Sequence, residues 1–212
     1  MQSKTLAGTQ PIRIGVAVIA NVAAGKQTIF DNMARDLGST RLLQISSGAI
    51  CATDEEAKVF YQRQKPAPSR IYYPMMRREI PALVLPEHEV VFFDGVFRSR
   101  RDMDELYDTA NQVIDRWMVI ELITDDDRAL VKRGRGRKRD DFNLKGFWRR
   151  IRKHKYTREE VLLGFLRRGA VYGVVDATKT REAVYAEFLG VYGELRQRLN
   201  VPALALRSSA SV

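Results

Sequence analysis

Five apolar runs of strand length, each separated from the next by helical sequence, constrain this 212-residue chain more than any other feature. Arg13 to Ile19, Arg41 to Ile45, Val90 to Phe93, Met118 to Ile123 and Ala170 to Val175 are near-continuous runs, the pattern of strands covered on both faces. After the first run, Ile29, Met33 and Leu37 recur at helical spacing; Met103, Leu106, Ala110 and Val113 do the same within Arg100 to Trp117. Arg181 to Leu199 reads as the last helix. Alternating strands and helices predict a parallel sheet flanked by helices, with ligands beyond the carboxyl ends of the strands.

The length suits one domain with a core of its own. Cys51 is the single cysteine, so no internal disulfide forms, and no cluster of cysteine or histidine has zinc-ligand spacing. No apolar run approaches the roughly 20 residues of a membrane span, and Met1 to Gln10 lacks the apolar centre of a secretory signal. The expectation is a soluble, cytoplasmic monomer. A net charge of +10 favours anionic partners, whether nucleotide phosphates, nucleic acid or a membrane surface.

Thr53 to Leu85 breaks the strand–helix rhythm, with three prolines and two tyrosines between Lys65 and Pro74, and reads as a small inserted subdomain. Asp125, Asp126 and Asp127 open a helix, where carboxylates meet the positive end of the dipole. The chain is then densely basic to Lys155. Thr157 with Glu160 predicts a capping box opening a helix through Leu166. His88 and His154 are expected at solvated surface positions.

Ala20 to Thr28 lies where the first buried strand meets a helix, so successive N–H groups of Ala23, Ala24, Gly25, Lys26, Gln27 and Thr28 can converge on an anion. Lys26 adds a full charge for outer phosphates, and the Thr28 hydroxyl stands where phosphate loops place a cation or phosphate contact. The usual leading glycine is Ala20. A methyl group at Ala20 or Ala23 strains the loop wherever positive φ is needed.

With these residues in order, the chain resembles the adenylate kinase family of nucleoside monophosphate kinases from about Arg13 to Leu199. Gly25-Lys26-Gln27-Thr28 is similar to its Gly-Lys-Gly-Thr, Ile45-Ser46-Ser47-Gly48 to its Ile-Ser-Thr-Gly, and Asp94-Gly95-Val96-Phe97-Arg98-Ser99 to its Asp-Gly-Phe-Pro-Arg-Thr. The resemblance implies a five-stranded P-loop core, a helical acceptor subdomain over residues 47–85, and a short lid region over 134–150. It also implies ATP and Mg²⁺ as cofactors. Lys26 and the loop amides would hold ATP, Thr28 and (through water) Asp94 the metal, and Ser47, Arg98 and Asp102 the acceptor. Arg133 and Arg137, four apart on one helix face, would stabilise the transferred charge together with Arg149 or Arg150. Lys138-Arg139-Asp140-Asp141 is similar to a lid-closing Arg-x-Asp-Asp.

Two departures stand out. Ala52 occupies a position where the family carries an acceptor-binding arginine, and Asp102 replaces the glutamine that reads adenine. Phosphoryl transfer from ATP to a nucleoside monophosphate is the expected function. The alternatives are a nucleotide-binding sensor or scaffold with little activity and, more weakly, RNA binding through Arg128 to Lys155, where repeated Arg-Gly pairs are joined by Phe142, Phe147, Trp148 and the adjoining Tyr156.

Overall fold

The computed structural model describes residues 12–63, 65–124, 126–136 and 144–202. All five expected strands form: β1 (Ile14–Ala20), β2 (Leu42–Ser46), β3 (Val90–Asp94), β4 (Arg116–Ile123) and β5 (Val171–Asp176). Every neighbouring pair is parallel, in the order β2-β3-β1-β4-β5. β1 is central and buried from residue 14 to 19, which is why its sequence cannot alternate.

One face of the sheet packs Val16, Val18, Phe92 and Met118 against Ile29 and Met33 of α1 (Lys26–Leu37). Phe188 and Tyr192 of α8 (Arg181–Arg198) complete that layer. The opposite face joins Ala17, Ile19, Phe93 and Trp117 to Met103 and Leu106 of α5 (Arg100–Asn111). Trp117 stacks among Phe93, Tyr107 and Phe165 at centroid distances of 5.0, 5.4 and 5.3 Å. Gly15 makes room for it, since a Cβ there would stand 2.7 Å from the indole.

Three helices connect β2 to β3: α2 (Ser47–Thr53), α3 (Ala57–Gln62) and α4 (Ser69–Leu83). Pro74 and Pro81 lie inside α4, although a helix-interior proline costs about 3 kcal/mol. Tyr72, Tyr73, Met75, Met76 and Ile80 are buried on that helix, and at about 1.5–3 kcal/mol each they outweigh the two prolines.

Two sequence expectations are corrected. The helix expected over Arg100 to Trp117 stops at Asn111, because the N–H groups of Asp115 and Arg116 bond to Arg13 O and draw Trp117 into β4. Thr157 does not begin a helix either: α7 runs unbroken over Leu144–Leu166, and the Thr157 hydroxyl donates back to Lys153 O at 3.2 Å. Before α7, α6 (Asp127–Gly136) is capped by Asp126 Oδ1, which accepts from Arg128 N and Ala129 N.

The course of α7 decides what surrounds the carboxyl edge of the sheet. Phe165 meets Trp117 near the start of β4, and Arg158 pairs with Glu121 near its end. The first half of α7 therefore continues past that edge. No helix of the described residues is long and apolar enough to cross a membrane.

Candidate active site

The loop between β1 and α1 leaves the first amides of α1 without a side-chain cap, a geometry suited to an anion. Gly25 is the N-cap of α1 at φ 103° and has no side chain to satisfy the free amides, and the first turn of α1 carries no acid. Its N–H groups and dipole thus face outward uncompensated. Ala23 takes φ 65°, the left-handed region, which costs an alanine on the order of 1–2 kcal/mol. Ala23 and Ala24 are buried, and this packing holds the strained turn. Lys26 Nζ lies 3.6 Å from Asp94 Oδ1 across the β1–β3 boundary, with both side chains partly open. Thr28 follows two residues later in the same helical turn.

The Gln27 side chain turns aside, donating to Asp31 Oδ1 at 2.8 Å and sharing longer contacts with Gln44 of β2. Only its backbone is left to serve the loop. Asn21 Oδ1 and Thr124 Oγ1 are buried without a hydrogen-bond partner, just past the ends of the adjacent strands β1 and β4. Orphaned polar atoms of this kind mark an edge built for polar contents.

His154 overturns the expectation of a solvated surface histidine. It lies on the inward side of α7 near Lys26 and Arg158; burial first, then those two cations, pull its pKa down to about 4. The imidazole is neutral at ordinary pH and adds no second charge beside Lys26. Arg158 Nη1 is 3.1 Å from Glu121 Oε1, and the Tyr172 hydroxyl donates to Glu121 Oε2 at 2.6 Å. Burial and this carboxylate push Tyr172 up to about 12. Glu121 thus pins α7 to the sheet. His88, also expected in solvent, is half-buried: its Nδ1 accepts from Leu85 N and its carbonyl from Arg13 Nε.

On the β2–β3 side, the Ser47 hydroxyl donates to Gly95 O at 2.7 Å and the Tyr72 hydroxyl to Val96 O at 3.2 Å. The helices after β2 are thereby tied to the loop after β3. Gly95 has φ 67°, and a Cβ there would come within 3.0 Å of Ser47 Oγ. Arg98 lies over the Tyr72 ring at 4.5 Å, with Nε 3.8 Å from Asp102 Oδ2. Cys51 is close by; burial raises its thiol pKa and Arg98 opposes the rise.

Asp102 is placed differently from a base-reading residue. It is 5% exposed and closes a cap on α5, accepting from Arg98 N and Ser99 Oγ at Oδ2 and from Tyr73 OH at Oδ1. Arg133 donates to Ala177 O at 2.9 Å and reaches Thr178 O, so it rests on the loop after β5. Arg137 lies outside the described residues, as does the rest of 137–143 within the expected lid region. At 100° per residue, Arg150 is about 40° around α7 from His154, whereas Arg149 is about 140° away on the outer face.

A five-stranded parallel sheet in this order, with a glycine-capped lysine loop after its central strand and an aspartate ending the neighbouring strand β3, is a P-loop NTPase-like α/β fold. No family model matches the chain, and no curated protein matches it in sequence. Among solved structures it is similar to a gluconokinase from Sinorhizobium meliloti 1021, with a TM-score of 0.58 and 16% identity. That match covers 90% of this chain and 97% of the other. At such identity the two share the fold.

Glu121, Arg158 and His154 were missed in the sequence, yet a charge inside the apolar run Met118 to Ile123 was available as a signal. Tyr72 and Cys51 carried no comparable mark.

Proposed function

We propose that the protein is an ATP-dependent phosphotransferase that moves a phosphoryl group to a nucleoside monophosphate. One observation carries the reading: Lys26 stands at the uncompensated N-terminus of α1, 3.6 Å from the carboxylate that ends β3. The residues also fit Mg²⁺. Among the described residues no three acidic, histidine or cysteine ligands cluster, and a cation held mostly by phosphate and water needs only one or two protein oxygens. The Thr28 hydroxyl would supply one directly, and Asp94 would hold the metal through water.

When bound, the nucleotide and its metal supply the group to be moved and much of the charge neutralisation. The chain does the rest. Lys26 and the amides of residues 23–28 hold the outer phosphates, while Arg133, Arg137 and Arg150 spread positive charge around the transferred group. Arg98, stacked on Tyr72, holds the acceptor phosphate in line. An anionic acceptor oxygen needs no general base, so holding the two partners in line and excluding water are the main tasks. The helices over residues 47–85 form the acceptor side.

A second reading is favoured by Asp102, whose engaged carboxylate is not free to read a base, and by Ala52, which supplies no charge. The acceptor would then be the hydroxyl of a sugar acid, as the name of the gluconokinase suggests, with Asp94 taking the proton. A coupled assay of ADP formation with AMP, GMP, CMP, UMP and gluconate separates the readings. Turnover with a nucleoside monophosphate is expected. Turnover with gluconate alone selects the second reading. Silence with every acceptor, while ATP still raises the melting temperature, leaves a nucleotide-binding sensor or scaffold.

A further inference from the structure

We infer that the outer face of α7 is a docking strip for single-stranded nucleic acid, separate from the phosphate loop. The argument begins with where the charge lies. Arg128 to Lys155 holds thirteen of the chain's 36 lysines and arginines and two of its 26 acidic residues. The rest of the chain is close to neutral, so the whole positive excess belongs to one stretch.

Within it, Lys145, Arg149, Arg152, Lys153 and Tyr156 fall in an arc of about 100° on α7, roughly opposite His154. All five are exposed, and Tyr156 is 79% exposed. None of the four cations makes an ion pair with a described residue, whereas Lys155, just outside the arc, is held by Asp127 at 2.8 Å. They border an open cavity of about 590 Å³ together with Gly146.

The pattern fits a strand of phosphates better than a single small anion. At a rise of about 1.5 Å per residue, the cations from Lys145 through Arg149 to Arg152 recur at about 6 and 4.5 Å, and the ring stands about 16 Å from Lys145. Cations that track a backbone and end on an open aromatic ring are the arrangement that single strands use, phosphates on the charges and a base on the ring. A membrane surface needs apolar side chains to insert, and the strip offers none besides Tyr156.

The test uses fluorescence anisotropy of the full chain with a labelled oligouridylate of about 16 nucleotides. With four phosphate contacts the log–log salt slope is about −3, an affinity loss of about 50-fold between about 50 and 200 mM salt. Replacing Lys145, Arg149, Arg152 and Lys153 by Gln should flatten the slope and abolish binding while the melting temperature is retained. Tyr156→Ala should weaken binding about 5- to 150-fold with the slope unchanged. The inference fails if the fourfold variant binds as before or if saturating ATP displaces the strand. It fails equally if the chain binds phosphatidylserine vesicles and not the oligonucleotide.

Discussion

Separating Arg158 from Glu121 should have unequal consequences depending on which partner is removed. The two side chains are 47% and 6% exposed, at 3.1 Å from each other. Arg158→Met leaves a carboxylate buried on β4 with the Tyr172 hydroxyl as its remaining donor. Breaking a buried pair this way costs about 3–4 kcal/mol. At 2–4 °C per kcal/mol for a chain of this size, the melting temperature should fall by about 6–16 °C. Glu121→Leu instead leaves an arginine that swings into water and a leucine that refills the site, so the loss should stay near or below about 1 kcal/mol, mostly from Tyr172.

The double variant Glu121→Leu/Arg158→Met should resemble Glu121→Leu, giving a coupling of about 3–4 kcal/mol. Urea unfolding followed by circular dichroism measures all four proteins, and equal m-values are required before midpoints are compared. If Glu121→Leu proves as costly as Arg158→Met, water access does not govern this pair; if the two losses simply add, the two side chains do not support each other and the anchoring of α7 by Glu121 is wrong.

The phosphate loop offers two further tests. Lys26→Ala should abolish ADP formation and the ATP-induced rise in melting temperature while leaving the unliganded midpoint nearly unchanged. Ala23→Val places a β-branched residue at φ 65° and should cost about 2 kcal/mol or more in urea unfolding, a larger loss than Ala24→Val. On the acceptor side, Ala52→Arg should lower the KM for AMP about tenfold, the value of one charge-assisted phosphate contact. His154 gives a pH test. Its pKa is about 4 in the fold against an ordinary value near 6.5, so the unfolded chain takes up the proton first as pH falls. Stability present at neutral pH should therefore decline from about pH 6.5 toward 4, and His154→Gln should flatten that part of the profile.

The sheet was legible because burial on both faces forces near-continuous apolar runs, and the turn at Gly25-Lys26 because small residues there separate a strand-like run from a helical periodicity. A methyl group marks both Ala20 and Ala23 as candidate strain sites; Ala23 takes the left-handed conformation, whereas Ala20 ends β1 without it. What remained hidden is tertiary. Nothing local distinguishes Arg150 from Arg149 until α7 is known to run unbroken, because one residue's shift around a helix is about 100° and exchanges the site face for the solvent face. Asp102 was ambiguous for a related reason: the residue three past Ser99 can close a cap or face a ligand, and only its burial beside Tyr73 decides. His154 was misplaced because its neighbours in sequence are cations in solvent, while its neighbour in space is Lys26. A neutral imidazole there matters to the chemistry proposed: a third full charge beside Lys26 and Arg158 would repel the lysine from the loop before any phosphate arrived. By remaining uncharged, His154 lets α7 pack near the loop at low electrostatic cost and leaves Lys26, among the described residues, paired with Asp94.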